Sequence, residues 1–125
     1  MTTIAIVDYG MGNLRSVAKA FAHVAPDQRV LITADADEIA NADRVVLPGQ
    51  AAMPESMVAL DASGLREALL AASKTKPFFG VCLGLQMLFE TTEEGATPAL
   101  GYLPGRSVRC LGCTRPRSTS LPRGP

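Results

Sequence analysis

Gly80-Val81-Cys82-Leu83-Gly84 is the stretch whose residue types and spacing most plainly suit covalent chemistry. It has the form G-x-C-x-G and follows a short apolar run, Phe78-Phe79-Gly80-Val81. A cysteine on a tight turn between a strand and a helix is the thiol form of a nucleophile elbow. Such a turn holds the sulfur clear of the backbone. Glycines two residues to either side let neighbouring chain approach where a Cβ would clash. The helix that follows aims its first N–H groups at the sulfur. The N–H of Leu83 is then placed to stabilise an oxyanion. A buried structural cysteine at a strand end would carry the same five letters.

Two other stretches are unusual. Pro48-Gly49-Gln50 ends an apolar run, and a glycine there can turn a backbone N–H toward a neighbouring nucleophile. An ordinary Pro-Gly turn is the plainer reading. Tyr9-Gly10-Met11-Gly12 places two glycines in four residues, which marks a loop with special backbone angles. Asn13 follows as a good N-cap.

A thiol nucleophile needs a base, usually a histidine oriented by a carboxylate. The 125 residues contain one histidine, His23. It falls near the end of the first predicted helix. About ten residues at ~1.5 Å rise put it roughly 15 Å from the helix start. An exposed helix-end histidine is the expected role.

These segments need elements to hold them. Residues 3–8 read as a buried parallel strand. Leu14, Val17, Ala18 and Phe21 have helical spacing. Val30-Leu31-Ile32 is a second strand. Residues 34–42 suggest a helical turn or two. Arg44 to Leu47 is a third strand, stopped by Pro48-Gly49. Residues 55–73 hold Leu60, Leu65, Ala68, Leu69 and Ala72, and the apolar set from Leu65 onward has helical spacing, with Ser63 a plausible cap. Phe78 to Val81 is a fourth strand, and Gly84 to Glu90 the next helix. Strands alternating with helices predict an α/β fold: a flavodoxin-like parallel sheet with helices on both faces, here incomplete. Sites in such sheets gather at the carboxyl ends of the strands. Tyr9–Asn13, Pro48–Met53 and Cys82–Gln86 all fall there.

Bulk composition bounds the function. The hydrophobic fraction is 47% and the charged fraction 19%, as in a globular protein. Twelve basic residues balance twelve acidic ones, so nothing draws the chain as a whole to nucleic acid or membrane. The balance is uneven along the chain. Residues 1–94 carry a net charge of −5, and residues 95–125 a net of +5 with no acid. No apolar run approaches the ~20 residues of a membrane span. No signal-peptide pattern opens the sequence. Three cysteines suit a reducing compartment better than a disulfide framework. The expected location is the cytoplasm. From about residue 95 the periodicity fades. Residues 110–125 are basic and rich in Pro and Ser, and read as a disordered tail. Cys110 and Cys113 lie in that tail and lack a second pair or a strand–helix context. No metal or other cofactor is expected.

Taken together, these residues resemble a known family. Gly80-Val81-Cys82-Leu83-Gly84-Leu85-Gln86 is similar to the G-x-C-x-G-x-Q signature of class I glutamine amidotransferases. Asp8-Tyr9-Gly10-Met11-Gly12-Asn13-Leu14 resembles the D-Y-G-x-G-N-L opening of the glutaminase subunits of imidazole glycerol phosphate synthases. Leu47-Pro48-Gly49-Gln50, with Met53, resembles their L-P-G-x-G-x-[MF] oxyanion segment. Gly101-Tyr102-Leu103-Pro104-Gly105 resembles a later G-L-x-P-G stretch. The resemblance covers about residues 3–109, which would be the N-terminal half of such a domain. It implies that Cys82 attacks the side-chain amide of glutamine. It implies that Gly49 or Gln50, with Leu83, holds the oxyanion, and that Gly84 and Gln86 help to bind substrate. Ammonia would pass to a barrel-shaped cyclase subunit in histidine biosynthesis, and Tyr9, Gly10, Gly12 and Asn13 would face that partner. Two departures stand out. The second glycine of the oxyanion segment is Ala51, which is tolerable only with negative φ. The family's late H-x-E pair has no counterpart, so the chain is expected to be inactive alone. A non-catalytic flavodoxin-like binding module is the alternative. Another small elbow-cysteine hydrolase or chaperone of the same fold would lack a base for the same reason.

Overall fold

The computed structural model describes residues 2–92 and 97–107. Four parallel strands form the main sheet: β1 (Thr3–Val7), β2 (Arg29–Thr33), β3 (Arg44–Gly49) and β4 (Phe78–Cys82), in the order β2-β1-β3-β4. The helices between them are α1 (Leu14–Val24), α2 (Ala36–Asn41), α3 (Met53–Ser63) and α4 (Arg66–Thr75). The α/β fold with a parallel sheet matches the expectation from the sequence.

Alternation along the strands explains the layering. Ile4, Ile6 and Val46 face one side and pack against Leu14, Val17, Ala18 and Phe21 of α1. Val7, Val45 and Leu47 face the other side, beneath Ile39 of α2, Leu60 of α3, and Leu65 and Leu69 at the start of and within α4. Side chains two residues apart on a strand share a face, so β1 and β3 feed both cores at once. Each fully buried Leu or Ile contributes about 2 kcal/mol. Asn13 caps α1 as expected, its Oδ1 accepting from the Ser16 N–H at 3.4 Å. Lys76 closes the end of α2. Its ammonium donates to the carbonyls of Ile39, Ala40 and Ala42 at 3.3, 2.6 and 2.7 Å. The Ile39 carbonyl also accepts from the Ala42 N–H at 3.3 Å, and helix-end carbonyls such as these lack the i+4 donor of a helix interior, so the lysine meets a standing demand.

Four expectations need correction. The one helix read between β3 and β4, periodic from Leu65 onward, is α4, and a second helix, α3, precedes it. Gly64, at φ 75°, ends α3 in the left-handed conformation that glycine adopts without penalty. The Ser63 hydroxyl then accepts from the Leu65 N–H at 3.3 Å at the turn into α4. Second, β3 does not stop at Leu47 but runs through Pro48 to Gly49. Proline fits because the pairing of β1 with β3 ends at Ile6 and Val46, so no ladder bond is lost there.

Third, the helix read over Gly84–Glu90 is only α5 (Leu83–Gln86). The chain then enters β5 (Phe89–Thr92), where Thr-rich text favours an extended backbone. Fourth, β5 belongs to a small second sheet with β6 (Thr97–Pro98) and β7 (Leu103–Ser107), in the order β6-β5-β7. The Gly101–Gly105 stretch, read as structureless, thus opens into β7. Backbone bonds from Leu100 N–H to the Met87 carbonyl and from Leu103 N–H to the Leu88 carbonyl, both 2.8 Å, tie this sheet to the end of α5. The expected disordered tail, residues 110–125, lies outside the described residues, as do Cys110 and Cys113.

β4 is an edge strand. Its Phe79 is 57% exposed and meets Phe21 of α1 edge-on, with ring centroids 6.1 Å apart. Among the described residues no helix is long and apolar enough to cross a membrane.

Candidate active site

Cys82 closes β4 and opens α5. It has φ 55° and ψ −121°, and among the described residues it is the one non-glycine with positive φ. Such a conformation costs of order 1–3 kcal/mol and persists only where the surroundings impose it. The surroundings here are the two flanking glycines. A Cβ on Gly84 would lie 1.9 Å from the Leu47 carbonyl oxygen. A Cβ on Gly80 would lie 2.7 Å from the Leu85 Cα. The first turn of α5 therefore lies flat on β3 and folds back over β4. The thiol is left free and exposed.

The strain at Cys82 makes a prediction. Glycine adopts this φ/ψ pair without a Cβ penalty. Cys82→Gly is expected to raise the unfolding free energy by about 1 kcal/mol, the strain relieved less the entropy that glycine adds to the unfolded chain. Chemical denaturation compared with wild type measures it. A destabilised variant would mean that the elbow is unstrained.

The oxyanion segment lies beside the sulfur. Across β3 and β4, Gly49 is in register with Cys82 and Pro48 with Val81. A Cβ on Gly49 would lie 2.7 Å from the Gly84 nitrogen and 2.8 Å from the Leu83 Cβ. Gly49 and Leu83, singled out from the sequence as oxyanion donors, are thus in direct contact. Gln50 follows at the exposed end of β3, and Gln86 is exposed on α5. Gly84 is buried against the Leu47 backbone, so its place is structural contact with β3 rather than an open surface. Ala51, where the family pattern has glycine, does not have positive φ, so its Cβ is accommodated.

The loop after β1 completes the cluster. A Cβ on Gly12, at φ 110°, would lie 3.5 Å from the Pro48 Cβ. Gly10 and Asn13 are exposed, and the Gly10 N–H donates to Asp8 Oδ1 at 3.1 Å. Tyr9 departs from the expected partner-facing role. Its side chain is 4% exposed, and its hydroxyl donates to the Pro48 carbonyl at 2.8 Å. The same hydroxyl lies 3.5 Å from Met87 Sδ. An apolar ring carrying one polar atom is buried readily once that atom has a partner, and the Pro48 carbonyl supplies it. Burial pushes the phenol up to about 12. The Ser56 hydroxyl beside it works against that rise without meeting hydrogen-bond geometry. Nothing in the run Asp8-Tyr9-Gly10 signalled this. Only the fold brings residue 9 to residue 48.

His23 is exposed in the last turn of α1. Helix α1 starts beside the site and carries His23 away from it. Among the described residues, no three His, Cys, Asp or Glu side chains gather in a metal-binding group.

Three segments therefore converge at the carboxyl ends of β1, β3 and β4 around one exposed thiol. Comparison with known proteins gives this arrangement a family. The pattern of "Glutamine amidotransferase class-I" matches residues 5–111. The chain is similar to the "Imidazole glycerol phosphate synthase subunit HisH" of Aromatoleum aromaticum, 60% identical over 109 residues, 87% of this chain and 51% of that one. It is 60% identical over 107 residues to the protein of that name from Dechloromonas aromatica, 86% of this chain and 50% of the relative. It is 55% identical over 123 residues to that from Nitrosomonas europaea, 98% of this chain and 58% of the relative, so that likeness runs past residue 109. The chain spans about half the length of the curated relatives it matches. With the family pattern matched over most of its residues, the chain belongs to the class-I glutamine amidotransferases.

Proposed function

We propose that this chain carries the nucleophile half of a glutaminase that serves imidazole glycerol phosphate synthase. In this reading residues 1–109 are the N-terminal half of the amidotransferase domain. The Cys82 thiolate attacks the side-chain carboxamide carbon of glutamine. The carbonyl oxygen takes the negative charge, and backbone N–H groups of Gly49 or Gln50 and of Leu83 hold it. The C–N bond breaks as a proton reaches the nitrogen, and ammonia leaves. Water then cleaves the glutamyl thioester to glutamate and free thiol. Gln86, exposed one turn beyond the thiol, orients glutamine, and Gly84 keeps α5 close enough for Leu83 to act. The ammonia passes to a cyclase subunit that faces Gly10, Gly12 and Asn13, and the assembly works in the cytoplasm.

The observation that carries this reading is the strained Cys82 backbone in register with Gly49. The proton transfers need a base, and the one histidine in the sequence sits at the far end of α1. The chain alone is therefore expected to release no glutamate from glutamine. Joining residues 1–109 to the remainder of the Aromatoleum subunit restores turnover in the presence of the cyclase, measured as glutamate released. A folded fusion without turnover would sink the reading. The four-stranded sheet and an elbow without a base also suit a non-catalytic binding module. Saturable binding of the chain to the cyclase without turnover, together with an inactive fusion, would favour that alternative.

A further inference from the structure

We infer that Arg15 and Lys19, on the outer face of α1, extend the surface that receives the cyclase subunit and bind carboxylates of that partner. The inference rests on the reading of Gly10, Gly12 and Asn13 as partner-facing.

Helix α1 has two faces. Leu14, Val17, Ala18 and Phe21 pack on the sheet. Arg15 and Lys19 stand on the other side, and both are exposed. Residues four apart are neighbours on a helix surface, so the two cations sit together. The helix begins at Leu14, directly after the Gly10–Asn13 loop. Arg15 is therefore in the first turn, at the edge of the proposed partner surface. Lys19 follows about 6 Å further along the axis.

Local physics disfavours this arrangement. The N-terminus of a helix is the positive end of its dipole and prefers acids. The other helices between the strands obey that preference. Their first turns carry Asp37 and Glu38 in α2, Glu55 in α3 and Glu67 in α4. The first turn of α1 has no acid, and Arg15 stands there instead. Like charges four residues apart also repel. Nothing among the described residues offsets either cost, since neither side chain has an ion pair or hydrogen bond there. A local preference broken without internal compensation is expected where a surface serves a partner.

The sign of the surroundings narrows the partner. Outside α1, residues 2–92 hold ten acids and five bases. Of those bases, Arg66 is paired with Asp61 at 2.8 Å, and Lys76 is engaged by the carbonyls at the end of α2. Two cations on an acidic body suit a few placed carboxylates on a protein. A phosphate backbone would run on into the surrounding acids.

Arg15→Glu is the test, because it reverses the charge and gives α1 the acid its first turn lacks. Two readouts are expected to move apart. The melting temperature stays at or above that of wild type. Association with the cyclase subunit of the Aromatoleum synthase, followed by stopped flow at low salt, slows about tenfold, and the gap closes as salt rises. Lys74→Glu, on α4, makes the same change in net charge and is expected to stay within about twofold of wild type. Equal slowing by Lys74→Glu means that net charge alone steers association, and overturns the inference. An unchanged rate in Arg15→Glu overturns it too, as does a lower melting temperature, which would make the cation a structural element of α1. A wild-type chain that does not bind the cyclase overturns the partner reading and this inference together. Binding by wild type without a charge effect at Arg15 overturns this inference alone.

Discussion

Gly84→Ala is expected to destabilise the fold by at least about 3 kcal/mol, the upper range for forcing volume into a packed site. The added methyl carbon would lie 1.9 Å from the Leu47 oxygen, 2.8 Å from the Leu47 carbonyl carbon and 3.2 Å from the Pro48 carbonyl carbon. All three are backbone atoms of the central strand β3. No side chain can swing away to relieve the contact. Either β3 bends, which opens the core around Val45 and Leu47, or α5 lifts off, which releases the elbow. A small domain has roughly 5–15 kcal/mol of stability in all, so such a loss populates the unfolded chain. Gly10→Ala is the matched control. A Cβ there meets nothing within 4 Å, and its φ of 96° leaves backbone strain as the cost, about 1–2 kcal/mol. Urea denaturation of both variants measures the difference. Equal losses would show that α5 does not lie against β3 as described.

The contrast between these glycines shows what the sequence could and could not tell. The G-x-C-x-G spacing said that chain must come close on both sides of Cys82, and it does, at Leu47 and at Leu85. Spacing alone could not say which strand would lie there. The element order was legible because β-branched runs and helical periods alternate cleanly through residue 82. It became illegible where local signals conflicted with tertiary pairing. Phe89 and Glu90 were read as the end of a helix from Gly84, yet they open β5, which pairs with β7. Helix α3, before Gly64, was missed because helical apolar spacing was recognised only from Leu65 onward. Pro48-Gly49 was read as the stop of the third strand, yet the missing proline N–H costs no ladder bond there. The structure shows that position facing a strand that has already ended. Tyr9 was placed toward a partner by the resemblance, together with the rest of its loop, whereas its hydroxyl donates to a carbonyl 39 residues away.

The site was legible in part for a physical reason. The roles proposed for Cys82, Gly49 and Leu83 depend on backbone geometry, and glycine spacing encodes backbone geometry directly. The proposed substrate contact of Gln86 is a side-chain matter at an exposed position, where local text carries little constraint. The expectation that three loops meet at the carboxyl ends of parallel strands follows from topology, and the register of Gly49 with Cys82 meets it.

The central claim is that Cys82 is an elbow nucleophile facing a glutamine-shaped site. Covalent labelling tests it without any need for turnover. A diazoketone analogue of glutamine places its ketone carbon where the carboxamide carbon would sit; its diazo-bearing carbon, in the place of the amide nitrogen, is protonated and then alkylates the thiolate as N2 leaves. Its reaction needs the thiol and the amino-acid contacts, whereas iodoacetamide needs only an accessible thiol. Cys82→Ala is expected to abolish diazoketone labelling completely, because covalent capture has no second route once the sulfur is gone. Peptide mapping by mass spectrometry of the wild-type chain is the most direct measurement. The account predicts one diazoketone adduct, on Cys82, formed more slowly when free glutamine is present, with iodoacetamide labelling unaffected by glutamine. An adduct on Cys110 or Cys113 in place of Cys82, or labelling of Cys82 that glutamine does not slow, would contradict it.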